Sequence, residues 1–254
     1  MEQTGIHVAL APETLGNFFG LPITNTLLMS WAVIIILSII AVAIGRNIRL
    51  VPGRFQTLLE WLFGSVYDYI AETLESRTMA RRFFPLLITL FLFIFTANML
   101  EFTPGIGSVG IFHPSTSLGQ AGEFTALFRS ANTDLNATLA LAIISFFVIE
   151  VTGILTIGVL KYARKFVAFH SVMGFAVGII ELFSEIARLV SFSFRLFGNI
   201  FAGEVLILVV SYFVPYFLPV PIMLFEVFVG FIQAAIFSLL TLFFIKIAIA
   251  EPAH

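Results

Sequence analysis

Leu27-Leu-Met-Ser-Trp-Ala-Val-Ile-Ile-Ile-Leu-Ser-Ile-Ile-Ala-Val-Ala-Ile44 contains no charged residue and is closed by Gly45-Arg46. At 1.5 Å per residue a helix of this length reaches roughly 27 Å, close to the thickness of a bilayer's hydrocarbon core. It is too long for the apolar core of a signal peptide and no basic region precedes it, so it reads as a retained transmembrane helix. Two further stretches behave the same way, Phe83 to Leu100 and Asn136 to Leu160, the second with Glu150 inside it. Beyond Lys161–Lys165 the chain is apolar almost to its end, with ionisable groups embedded at Glu181, Glu185, Arg188, Arg195, Glu204, Glu226 and Lys246. The run Val214-Pro-Tyr-Phe-Leu-Pro-Val-Pro221 breaks that region into two long helices.

Composition agrees with lipid as the solvent. Of 254 residues 59% are hydrophobic and 11% charged, whereas a soluble domain carries about 25% charged residues. The mean hydropathy is +1.06. A net charge of −2 supplies no basic face for nucleic acid. With no cysteine there is no disulfide framework, thiolate nucleophile or iron–sulfur ligand set. His7, His113, His170 and His254 are scattered and form no HExxH motif. A catalytic constellation, a metal site and a cofactor site are therefore not expected.

Between the first two spans, Leu58, Leu59, Leu62, Val66, Tyr69 and Ile70 recur at helical spacing while Glu60, Asp68 and Glu72 take other faces. The segment Val51 to Leu74 thus reads as an amphipathic helix lying at the membrane surface. Thr103 to Asp134 is rich in Gly, Ser and Thr without sustained periodicity and reads as a long loop. The expected architecture is an all-α integral membrane protein, a single domain over residues 1–254, with about five crossing helices plus one amphipathic interfacial helix. Arg46, Arg49, Arg54, Arg77, Arg81, Arg82, Lys161, Arg164 and Lys165 lie in connections on one side, and Arg129 alone lies in the loop on the other. Because basic residues accumulate on the cytoplasmic side, this puts the N-terminus outside and the C-terminus in the cytoplasm. Lys246 is expected to snorkel to the cytoplasmic interface, and His170 to sit at the interface.

A charge near the bilayer centre costs about 2.5–3.5 kcal/mol on insertion scales, so each one calls for a function. On a helical wheel Glu181, Ser184, Arg188, Ser191 and Asn199 all fall within about 40° of Arg195. One polar stripe runs along an otherwise apolar helix. Gly198 and Ala202 share that face and let another helix approach closely. Glu204 points the opposite way. In the last helix Glu226, Gly230 and Gln233 share a face that could meet the Glu204 side. Arg188 is within one turn of Glu185 and within two of Glu181, and can be an intramembrane structural partner of an acid on its own helix. Arg195 has no carboxylate three or four residues away, and a guanidinium stays charged in proteins. Its expected partner belongs to another polypeptide.

Phe194-Arg-Leu-Phe-Gly-Asn-Ile-Phe-Ala-Gly-Glu204 resembles the hallmark of the subunit a family of F-type ATP synthases. Val51-Pro-Gly-Arg-Phe-Gln56 with Glu60, Phe84-Pro-Leu-Leu with Ala97-Asn98, Asp134-Leu-Asn-Ala-Thr-Leu-Ala-Leu-Ala142 and Ile232-Gln-Ala-Ala-Ile-Phe237 agree with it in the family order. The resemblance covers residues 20 to 250. It departs from the family where Ala131-Asn132 replaces the usual proline and threonine, and in a longer outer loop from Gly105 to Arg129.

The resemblance implies a stator proton channel beside a rotating c-ring, in a bacterial inner membrane, with the last two helices long and tilted against the ring. The other partners it implies are the peripheral-stalk subunit b, the F1 ATPase sector and membrane lipid. Arg195 corresponds to the arginine that faces the c-ring carboxylate and separates two half-channels. Asn199, Glu204 and Gln233 match positions lining the proton route or holding the arginine helix against the last one, and Glu226 matches a more variable polar position. The outer half-channel is expected near these residues. By depth the inner one lies near Glu181, Ser184 and Glu185, with Arg188 on the same stripe. Asn98, Glu101 and Glu150 are candidates for further polar lining. A stand-alone ion-coupled transporter would show paired repeats with interrupted helices, and no internal repeat is found here. A membrane enzyme would need a nucleophile, metal or cofactor constellation.

Overall fold

The computed structural model describes residues 11–18, 20–103, 109–113, 123–166 and 172–250. Nearly all of the ordered elements are helical, as the apolar runs require. A short hairpin of β1 (Thr14–Phe18) and β2 (Leu21–Thr24) turns at Gly20, whose φ of 84° favours glycine. It leads into α1 (Asn25–Arg46), where the Thr24 hydroxyl accepts the N–H of Leu27 at 3.3 Å and caps the helix start.

The amphipathic segment forms α2 (Arg54–Thr73). Its apolar stripe has two fates. Val66, Tyr67, Ile70 and Ala71 pack against protein, while Phe55, Leu58, Trp61 and Leu62 remain exposed, as an interfacial helix resting on lipid demands. The second span is α3 (Arg77–Glu101), longer than the apolar run because Arg77, Arg81 and Arg82 are good helix formers that extend it at its start. The region read as one long loop holds more structure than its composition implied. β3 (Gly110–His113) pairs antiparallel with β4 (Glu123–Ala126), and a single 3-10 turn spans Ala131–Thr133.

The third span, α4 (Leu135–Ile157), stops short of the expected Leu160. Gly158 adopts φ 92°, a left-handed conformation that terminates the helix and starts α5 (Val159–Phe166) in a new direction. The final region gives α6 (Val172–Phe213) and α7 (Pro219–Ile249), divided at the proline-rich run with Pro219 in the first turn of α7. Among the described residues five helices are long and apolar enough to cross a membrane: α1, α3, α4, α6 and α7. The chain is a multi-pass membrane protein. At 42 residues α6 is about 63 Å long, roughly twice the hydrocarbon thickness, so it is strongly inclined or extends beyond the core. His170 lies outside the described residues.

The chain divides into two compact units, each taking part of all five long helices. The first comprises residues 1–38, 92–138 and 194–234. Its apolar nucleus is Val33, Ala97 and Ala131, with Leu37, Phe93 and Leu100 packed around them. Hydrogen bonds add to its cohesion. The Thr26 hydroxyl donates to Asp134 Oδ2 at 2.9 Å, and Asp134 Oδ1 accepts the N–H of Asn136 at the start of α4. The second unit comprises residues 39–91, 139–193 and 235–254. Ile70, Leu74, Ala80, Phe83, Leu87, Ile149, Leu242, Ile245 and Ala248 form its larger apolar core.

Candidate functional site

The polar stripe of α6 survives as an exposed line: Ser184, Ser191, Arg195, Gly198, Asn199 and Ala202 are all exposed, and Glu181 is half-buried. No neighbouring element lies within 4 Å of the place where a Cβ on Gly198 would sit. Another helix can therefore approach this backbone closely, with the Arg195 guanidinium one turn away. Leu196 and Ile200, on the opposite side, are buried.

In the first unit two of the expected outer residues, Glu204 and Glu226, come together with Glu101, while Asn199 lies on the exposed line with Arg195. Glu204 does point away from Arg195, and it meets Arg129 from the segment before the 3-10 turn. Nε of Arg129 donates to Glu204 Oε1 at 3.1 Å and Nη2 donates to Oε2 at 3.0 Å, a two-pronged pair. Glu226 is 5% exposed, and its carboxyl occupies the space that a side chain at Gly203 would need. Glycine at 203 is what lets α7 bring this acid against α6.

Gly230, one turn further along α7, serves α3 instead. Its carbonyl accepts the Nδ2 of Asn98 at 3.0 Å. Asn98 Oδ1 in turn accepts Nδ2 of Asn132 at 2.6 Å. Both asparagines are fully buried, where an unmet amide would be costly. Gln233 is half-buried. Glu101, at the end of α3, lies within Coulombic reach of Glu204, Glu226 and Arg129. Its Oε2 is buried and has no hydrogen-bond partner among the described residues.

The second unit assembles the remaining candidates. Glu185 is buried and contacts Arg188 Nη1 at 2.7 Å, so it is an acid that pairs with Arg188 on the same helix. The Arg188 guanidinium also lies 4.0 Å from the centre of the Phe244 ring, which adds a cation–π attraction. Glu150 accepts the Tyr162 hydroxyl at 2.7 Å. Tyr162 sits on α5, and both burial and the bond to Glu150 push its phenol above the ordinary range, which keeps it a donor. Lys246 reaches Glu75 at 3.1 Å near the surface.

Three participants escaped sequence reasoning. Arg129, Asn132 and Tyr162 lie 75, 34 and 12 residues from the partners they engage, beyond any helical periodicity. The signals available were that Arg129 is alone on its side of the basic-residue distribution and that Asn132 departs from the pattern the sequence otherwise resembles. Among the described residues no group of three or more His, Asp or Glu could hold a metal ion.

The family model described as "ATP synthase A chain" matches residues 27–246. The chain is similar to the ATP synthase subunit a of Geotalea daltonii, with 30% identity over 222 residues that cover 87% of this chain and 86% of that protein. The ATP synthase subunit a 1 of Syntrophotalea carbinolica is 33% identical over 89% of this chain and 85% of that protein. For the ATP synthase subunit a of Campylobacter jejuni strain RM1221 the identity is 32%, over 87% and 89% respectively.

Proposed function

Because this chain belongs to the ATP synthase A chain family, whose members serve as the proton-channel subunit of F0 in a complex with other ATP synthase subunits, we propose that it couples proton flow to c-ring rotation through Arg195. The observation that carries this reading is the exposed face of α6 on which Arg195 stands beside Gly198, Asn199 and Ala202. A carboxyl carried by the ring is neutral while it faces lipid and is favoured as an anion beside a guanidinium. Arg195 thus promotes proton release, recaptures the emptied carboxylate and, being permanently charged, blocks a direct proton leak. Each charge crossing 100 mV supplies about 2.3 kcal/mol, so several protons must be summed through rotation to make ATP. The subunit itself makes and breaks no covalent bond.

In this mechanism protons reach the ring from outside through Glu204, Glu226, Asn199 and Gln233, with Asn98 holding α7 in register. They leave past Glu181, Ser184 and Glu185, with Arg188 and Glu150 lining the route. The N-terminus is outside and the C-terminus cytoplasmic in a bacterial inner membrane, and subunit b and the F1 sector complete the machine. Arg195→Ala in inverted vesicles tests the reading. ATP-driven proton pumping is expected to be lost while the complex still assembles; normal coupled pumping would overturn it. Arg195→Lys should fail as well, since a compact ammonium does not reproduce the planar fork.

A further inference from the structure

The basic-residue distribution leaves Arg129 alone on its side of the membrane, and the fold uses that residue on Glu204. Its position is set by the tertiary structure. Immediately after it, Ser130 to Asp134 are all buried. Asn132 of this segment is tied to Asn98 and also lies 3.4 Å from the carbonyl of Ile94. Asp134 is tied to Thr26. On its other side the Arg129 Nη1 donates to the carbonyl of Ala11 at 3.4 Å. The side chain is 13% exposed and that of Glu204 31% exposed, so the carboxylate is held on one side and open on another.

The charges facing Glu204 make this pairing consequential. Glu101 from α3 and Glu226 from α7 belong to the same electrostatic group, and Arg129 is the cation that group contains. Three carboxyls share one guanidinium, so protons and Arg129 compete for them. The two-pronged bond selects which carboxyl is oriented, since a guanidinium fork fixes the plane of the carboxylate it grips.

The geometry points to Arg129 as a positioning residue of the outer half-channel, holding Glu204 as an oriented carboxylate that exchanges protons with the outer solution. This inference rests on the proton-channel reading above. A proton arriving from water adds to a Glu204 lone pair that the fork leaves free and passes on as a proton, with no other bond changed.

A double-mutant cycle on the whole ATP synthase in inverted vesicles tests it, with Arg129→Gln and Glu204→Gln measured singly and together and flux normalised to assembled complex. Arg129→Gln is expected to lower ATP-driven proton flux roughly ten- to a hundredfold, the worth of one charged hydrogen-bonded contact. In the Glu204→Gln background it should lower flux no further. An equal fall in both backgrounds, or no fall in either, would overturn the assignment. Should Arg129→Gln fail to assemble, Arg129→Lys takes its place: a smaller fall with Glu204 intact and none in the Glu204→Gln background supports the assignment, and equal falls overturn it. Arg195→Ala in the same vesicles separates the two ideas. If it abolishes pumping while the cycle is additive, only the role of Arg129 fails. If it leaves pumping intact, the channel reading fails first.

Discussion

Each of this protein's two units contains an arginine–glutamate pair, and the two pairs are built in opposite ways. Arg188 and Glu185 are three residues apart on one helix, and the acid is nearly sealed, with 4% of its side chain exposed. Arg129 and Glu204 are 75 residues apart, and the acid keeps 31% of its exposure. The first pair is delivered by helix geometry before any packing occurs. The second exists only once the segment carrying Arg129 has been pinned against α1 and α3. The half-open acid is placed to exchange protons with solvent directly, whereas the sealed acid can do so only through its neighbours. Stability should therefore respond most in the second unit, and proton flux in the first.

The sharpest way to break this contrast is to neutralise the two acids in turn. Glu185→Gln leaves the Arg188 charge buried against Phe244 and is expected to destabilise the protein by about 3–5 kcal/mol. Glu204→Gln should cost less, about 1–2 kcal/mol, because 31% of the Glu204 side chain is exposed and Arg129 keeps its bond to the carbonyl of Ala11. Thermal unfolding of the two variants in the same detergent measures both numbers, and equal losses would erase the distinction. Proton flux should rank them the other way, with Glu204→Gln still less damaging than loss of Arg195.

A pair of glycines sharpens the comparison at the next level. Gly153→Ala drives a methyl into the Tyr162 ring and towards the carbonyl of Ala248, so about 1–3 kcal/mol of stability should be lost in the second unit. The atoms nearest a methyl at Gly203→Ala are those of the Glu226 carboxyl, the far end of a flexible side chain. The expected signature of this substitution is a loss of proton flux with a smaller change in melting temperature. The smallest effect belongs to Lys246→Ala. The Lys246–Glu75 contact is exposed at both ends, so its removal should change stability by about 0–1 kcal/mol, and raised salt should mask even that.

These differences follow what each residue's sequence neighbourhood could disclose. The five spans, the interfacial α2 and the polar stripe of α6 were legible because each depends on residues within a few turns of one another. So was the local acid for Arg188, which helix geometry narrowed to Glu185 or Glu181 and which the structure gives as Glu185. Glu150 could be recognised as an intramembrane acid, but its partner Tyr162 comes from beyond the turn at Gly158. The wheel turned Glu204 away from Arg195 correctly, yet it assigned the face of Gly230 to that side, and Gly230 meets Asn98. The strand pair within residues 110–126 was missed because four-residue strands carry too little alternation to stand out in a region rich in Gly, Ser and Thr.

By itself, then, the sequence determined the solvent, the helices and the exposed line on which Arg195 stands, since hydrophobic runs and a 3.6-residue period are properties of the chain alone. Only the tertiary structure decided which partners Glu204, Glu150 and Asn98 take. The groups that satisfy Glu204, Glu150 and Asn98 come from distant segments, and a charge or amide shut away from water is held by whatever the packed fold brings within hydrogen-bond reach.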